Sequence, residues 1–224
     1  VVFGKTSTSA VNVASLGTDG FVINGQAVND YSGQVTNAGD INGDGFADVF
    51  VGANGASGGA GKTYVVLGKS NNTAVDLSAV ATGVGGFMIQ GEAAGDGSGW
   101  AVSAAGDING DGLTDVLIGA YKSDISGVDS GRSYVVYGTT ATANINLSNL
   151  GSSGFAIDGQ AAGDQNGYSV SAAGDVNGDG FADLIVGSLN SDPAGGANAG
   201  RSYVIFGGTQ YAQTASVVDF VGTP

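Results

Sequence analysis

Asp-x-Asn-x-Asp-Gly-x-x-Asp is written three times in this chain, and no other pattern in it is so specific. The first copy reads Asp40-Ile41-Asn42-Gly43-Asp44-Gly45-Phe46-Ala47-Asp48; the others run from Asp107 to Asp115 and from Asp175 to Asp183. Nine of the 19 aspartates stand at positions 1, 5 and 9 of these stretches. Carboxylates so close together repel one another unless a cation neutralises them. Hard oxygen donors at alternate positions of a loop loosened by glycine suit calcium, so the chain is expected to hold three calcium loops.

The elements around the loops repeat with them. Asp40 and Asp107 lie 67 residues apart, Asp107 and Asp175 lie 68. Phe21-Val-Ile-Asn-Gly25 aligns with Phe87-Met-Ile-Gln-Gly91 and Phe155-Ala-Ile-Asp-Gly159, and Tyr64-Val-Val-Leu-Gly68 with Tyr134-Val-Val-Tyr-Gly138 and Tyr203-Val-Ile-Phe-Gly207. Each unit carries four short strand signals. The first is the Phe-x-Ile strand. The second leads into the loop (Gln34 to Ala38, Trp100 to Ala104, Tyr168 to Ala172). The third leaves it (Asp48 to Gly52, Asp115 to Gly119, Asp183 to Gly187), and the fourth is the Tyr-Val strand. Helical periodicity is nearly absent: Val75 to Val80 and Ile145 to Leu150 predict single turns at most, with cousins at Val11 to Leu16 and from Val218-Asp-Phe220. The third strand is apolar almost throughout and is expected to be buried on both faces. Four-stranded units repeated about an axis make the blades of an all-β propeller. The expected organisation is one propeller segment over 1–224, with units at about 21–86, 87–154 and 155–224 after a lone strand within 1–20.

Composition narrows the function. The net charge is −14, with six basic residues, so nucleic acid and an acidic membrane surface are poor partners. Three bound divalent ions would bring the charge to about −8. Cysteine and histidine are absent, which excludes Cys/His zinc sites, thiol nucleophiles and histidine-based triads. No apolar run reaches the roughly 18 residues of a membrane-spanning helix. The opening Val1-Val2-Phe3-Gly4 reads as the middle of a strand with no signal peptide, as if cut from a longer chain. An acidic, cysteine-free chain with weak calcium sites fits a bacterial secreted or cell-surface protein, where millimolar calcium fills such sites.

These motifs resemble the FG-GAP repeat, the blade of integrin α-subunit propellers and of many bacterial relatives. The resemblance covers about residues 1 to 207. Gly52-Ala53 and Gly119-Ala120 stand where the family writes Gly-Ala-Pro, without the proline, and Gly187-Ser188 lacks the alanine too. Trp100 and Tyr168 hold the aromatic position of the family's Phe-Gly half; Gln34 does not. The family closes seven blades into a ring and begins its repeat with the outer strand. The resemblance therefore implies a partial propeller, completed by self-association or within a larger parent chain, with the Phe21 strand serving the Tyr203 blade of a neighbouring copy.

In each loop the side chains at positions 1, 3, 5 and 9 and the carbonyl at position 7 are the expected ligands. They are Asp40, Asn42, Asp44, Phe46 and Asp48; Asp107, Asn109, Asp111, Leu113 and Asp115; Asp175, Asn177, Asp179, Phe181 and Asp183. An EF-hand is excluded, because position 12 is Val51, Ile118 or Val186 rather than glutamate and no helices flank the loop. The bland alternative is a metal-free hairpin rich in Asx turns. Lys62, Arg132 and Arg201 precede the fourth strands; they read as ligand-binding cations or as structural ion pairs. Asp30, Asp96 and Asp164 recur before the second strands, as a ligand-contacting ring or as solvated turns. Asp124, Asp129 and Asp192 lie in variable loops, and Trp100, Tyr121 and Tyr168 are candidates to stack on a sugar or to sit in the core. No catalytic constellation emerges. The expected function is extracellular, calcium-dependent binding of a protein or glycan in adhesion or surface scaffolding. A carbohydrate-binding propeller and a non-catalytic domain of a secreted enzyme are the alternatives.

Overall fold

The computed structural model describes residues 1–4, 10–193 and 196–211. The cousin segment from Val218 lies outside them. Fourteen strands and a few single helical turns make up the described chain. In chain order the strands are β1 (Ile23–Asn24), β2 (Gln34–Gly39), β3 (Asp48–Ala53), β4 (Lys62–Val66), β5 (Val75–Asp76), β6 (Gly86–Gln90), β7 (Ala101–Gly106), β8 (Asp115–Ala120), β9 (Arg132–Val136), β10 (Ile145–Asn146), β11 (Gly154–Asp158), β12 (Asn166–Gly174), β13 (Asp183–Ser188) and β14 (Arg201–Ile205).

Three antiparallel sheets follow from them: β2-β3-β4-β6, β7-β8-β9-β11 and β12-β13-β14. Each is a meander of the second, third and fourth strands of one unit. In the first two sheets the Phe-x-Ile strand of the following unit supplies the outer edge. The sheets are thus offset from the units counted from Phe21: Phe87 closes the first sheet and Phe155 the second. The Phe21 segment, for which the resemblance implies the Tyr203 blade of a neighbouring copy, pairs here with the start of its own chain, through a Val2–Gly20 bridge and hydrogen bonds between Phe21 and Val1 in both directions.

β2 packs against β7 and β7 against β12, so the three inner strands line up side by side and the sheets stand face to face. One apolar cluster lies between the first and second sheets (Phe50, Val65, Phe87, Ile118, Tyr134). Another lies between the second and third (Leu117, Val135, Phe155, Leu184, Ile205). β8, in the middle, is buried at all six positions. This is an all-β stack of blades, part of a β-propeller. The blades approach so closely that a Cβ on Gly52 would overlap the Gly99 carbonyl oxygen of the next blade, and one on Gly119 would overlap that of Gly167.

The sequence cousins Val75-Asp76 and Ile145-Asn146 form two-residue parallel ribbons on Ile23–Asn24 and Ile89–Gln90. Each then bends into a single turn that buries Leu77 or Leu147. Val11 to Leu16 forms turns only.

Candidate metal centres

All three aspartate-rich loops join an inner strand to the one beside it, at the same end of their blades. Loops two and three touch: the Ala182 amide donates to the Asp107 carbonyl, and the Phe181 ring lies over Gly110. A register shift just before each loop, at Gly39, Gly106 and Gly174, turns the chain out of the strand. These glycines have φ of 71°, 77° and 75°, in the left-handed region that costs glycine nothing. The glycines at positions 4 and 6 are left-handed as well. The repeated pattern names glycine at position 6 alone.

Within a loop the carboxylates hold the backbone. Asp40 Oδ1 accepts from the Gly43 and Asp44 amides at 2.8 and 3.0 Å, and its Oδ2 accepts from Gly45 at 2.8 Å. Asn42 Oδ1 accepts from the Asp44 amide, Asp44 Oδ1 accepts from the Phe46 amide, and Asn42 Nδ2 donates to Asp44 Oδ2 at 2.9 Å. Asp107, Asn109 and Asp111 repeat this set, as do Asp175, Asn177 and Asp179. The Asx-turn geometry of the bland alternative is therefore present in every copy.

Position 9 does something else. Asp48, Asp115 and Asp183 are fully buried. Asp115 Oδ2 accepts from the Ile108 amide and Oδ1 from the Gly138 amide, both at 2.8 Å. Asp48 holds Ile41 and Gly68 in the same way, and Asp183 holds Val176 and Gly207. The ninth residue thus ties the start of the loop to the end of the fourth strand. The sequence signal was the glycine closing each Tyr-Val strand. Burial pushes the Asp115 carboxyl up to about 7, and the Asp111 and Asp107 charges push the same way against the two amides. Asp48 is raised for the same reasons.

The donor set fits a hard cation: oxygen only, three carboxylates and a neutral amide in nine residues, with carboxylates 1 and 5 set unfavourably against carboxylate 9. Asp40 Oδ1 and its counterparts already accept two amides, but Asp40 Oδ2 and both Asp44 oxygens accept one hydrogen bond each and keep a second lone pair, as do their counterparts. Among the described residues, no group of three or more carboxylates converges as a ready-made metal cage. The loop is closed by its own amides.

The other singled-out residues resolve into structure. Arg132 Nη1 lies 2.8 Å from Glu92 Oε2 and its Nε 2.6 Å from Asp158 Oδ1, while the Tyr134 hydroxyl donates to Glu92 at 2.6 Å. In the first blade Lys62 and Tyr64 both bond to Gln26, and in the third Arg201 and Tyr203 both bond to Gln160. The base and the tyrosine of one fourth strand thus grip the residue that follows the preceding Phe-x-Ile strand. The structural ion pair is found at Arg132; at Lys62 and Arg201 the partner is a neutral glutamine. Asp30, Asp96 and Asp164 are not solvated turns: they are 8%, 7% and 6% exposed. Their carbonyls accept from Gly55, Lys122 and Asn190, tying the loop after the third strand to the turn before the second. Asp129 sits at φ +52°, with its amide bonded to Asp124, and Asp192 accepts from the Asn198 amide. At the end of the blades away from the loops, Trp100, Tyr121 and Tyr168 pack on one another with ring centroids 4.8 to 5.7 Å apart.

A family model, the FG-GAP repeat, matches residues 32–66, 98–136 and 166–205, just over half of the chain. The three matches coincide with the meanders that carry the loops. No curated protein matches the chain significantly.

Proposed function

This chain belongs to the FG-GAP repeat family, and on that footing we propose that it is a calcium-binding module of an extracellular protein, serving adhesion or surface scaffolding by binding a protein or glycan. One observation carries the reading: an all-oxygen, triply acidic loop recurs three times with the same internal hydrogen bonds, at one end of adjacent blades. In each loop the ion would be held by the side chains at positions 1, 3, 5 and 9 and by the carbonyl of Phe46, Leu113 or Phe181. It would supply the positive charge that the buried ninth carboxylate lacks. Weak sites of this kind fill where calcium is millimolar, which is the support for a secreted or cell-surface location.

We read the module as a binding rather than a catalytic one, from a sequence without histidine or cysteine. Trp100, Tyr121 and Tyr168 are half-buried and pack on one another.

The test is calorimetric titration with calcium, followed by melts in calcium and in EDTA. At free calcium about 100-fold above its dissociation constant, each filled site adds roughly 2.7 kcal/mol. The melting temperature is expected to fall by many degrees in EDTA. Superimposable melts and a flat titration would sink the calcium assignment.

A further inference from the structure

Two backbone hydrogen bonds join the second loop to the third blade. The Ala182 amide donates to the Asp107 carbonyl at 3.2 Å, and the Gly208 amide donates to the Ile108 carbonyl at 2.9 Å. Among the described residues, no backbone hydrogen bond crosses from the first loop to the second; the Thr114 hydroxyl only lies beside Gly39. The rings differ too. A Cβ on Gly110 would lie 2.6 Å from the Phe181 ring, whereas one on Gly43, its counterpart in the first loop, would meet nothing within 4 Å.

The bond from Ala182 runs between the ligand sets of two loops. The Ala182 N–H and the Phe181 C=O are the two ends of one planar trans peptide, so they point in opposite directions. With that N–H turned to the second loop, the position-7 carbonyl of the third loop is aimed away from it. On the other side, the Asp107 C=O shares its peptide with the Ile108 N–H, which donates to Asp115 Oδ2 at 2.8 Å. One line of two peptide groups therefore connects the ninth carboxylate of the second loop to the seventh carbonyl of the third. Peptides hydrogen-bonded in line polarise and orient one another. A return path starts at the other ninth carboxylate. Asp183 Oδ1 accepts from the Gly207 amide at 2.9 Å, and the next amide, Gly208, is the one that reaches Ile108.

We propose that the second and third loops fill as a coupled pair, each raising the other's calcium affinity, while the first fills alone. This rests on the calcium reading above. Ordering one loop fixes a peptide whose other end serves its neighbour, so the second ion meets a loop that is already partly organised. Charge works the other way, because a filled loop is less negative and attracts the next ion less. At about 0.15 M salt that effect is screened over about 8 Å, and the direct bonds outweigh it.

The experiment is a calcium titration of the whole chain at that salt, followed by amide resonances. Gly43 and Gly45 report on the first loop, Gly110 and Gly112 on the second, Gly178 and Gly180 on the third. In the parent chain the second and third loops should saturate together and sigmoidally, and the first along a simple hyperbola. Asp179→Asn keeps an acceptor for the Phe181 amide but loses a charge. It should weaken the second loop at least about fivefold, the low end of coupling between sites. Asp111→Asn should weaken the third loop by a similar factor, because coupling is reciprocal. Asp44→Asn should leave the second loop within about twofold of the parent, as for independent sites. Three independent hyperbolas in the parent, or equal effects of Asp44→Asn and Asp179→Asn on the second loop, overturn the coupling and leave the calcium reading standing. No response at any loop overturns both. The parent curves decide the matter should a variant not fold.

Discussion

The nine loop aspartates divide into two jobs. Those at positions 1 and 5 are near the surface and organise the turn; those at position 9 are buried and staple it to the fourth strand. The two jobs respond differently to metal. Asp115→Ala leaves the buried Ile108 amide without an acceptor, at about 1–3 kcal/mol, and the half-buried Gly138 amide likewise at a smaller cost. That cost should appear in urea melts in EDTA as well as in calcium, with the loss of the ninth proposed ligand adding to it in calcium only. Asp111→Ala removes a proposed ligand, so most of its cost should vanish in EDTA. Asp129→Ala serves as the control. Its left-handed backbone gives it an intrinsic cost of up to about 1–2 kcal/mol, the same in both buffers. If Asp111→Ala and Asp129→Ala show the same calcium dependence, Asp111 is not a ligand.

At the scale of the strand, the third strands carry the contact between blades. Their glycines are where one blade's backbone meets the next. Gly119→Ala forces a Cβ into the Gly167 carbonyl and should destabilise by about 1–3 kcal/mol or more. Gly187 holds the same place in the third blade, but a Cβ there meets only the Ser169 hydroxyl, which can rotate away. Gly187→Ala should therefore stay within about 1 kcal/mol of the parent. Matching chemical-denaturation midpoints for the two variants would show that the blades do not rely on that approach. The fourth strands add a lateral grip, since the base and tyrosine of each hold the residue after the preceding Phe-x-Ile strand.

Across the whole molecule, burial is uneven. The middle blade has neighbours on both faces, and every residue of β8 and β9 is buried. In the third blade Ser202 and Val204 of β14 are exposed. In a stack where each unit touches only its neighbours, local opening begins at the ends. Hydrogen exchange should accordingly be slowest in β8 and β9 and faster in β12 and β14. Uniform protection across the blades would mean that the stack opens as one unit.

The repeat, the four strands of each unit, the all-β class and the loops themselves were legible in the sequence, because each depends on local rules. Alternation sets strands, glycine and asparagine set turns, and carboxylate spacing sets donor chemistry. What the sequence could not decide was partnership across distance. The Phe-x-Ile strands look like the start of a unit, yet Phe87 and Phe155 close the sheets before them, a choice made by the register opposite Val65 and Val135. Asp48, Asp115 and Asp183 look like three more ligands of equal standing, and only the fold shows them buried and held by the amides of Gly68, Gly138 and Gly207. Asp30, Asp96 and Asp164 look like solvated turn residues, and packing against the loop after the third strand buries them. Local pattern specifies which groups are present. Burial and long-range hydrogen bonding, which exist only once the blades stack, determine what each group faces.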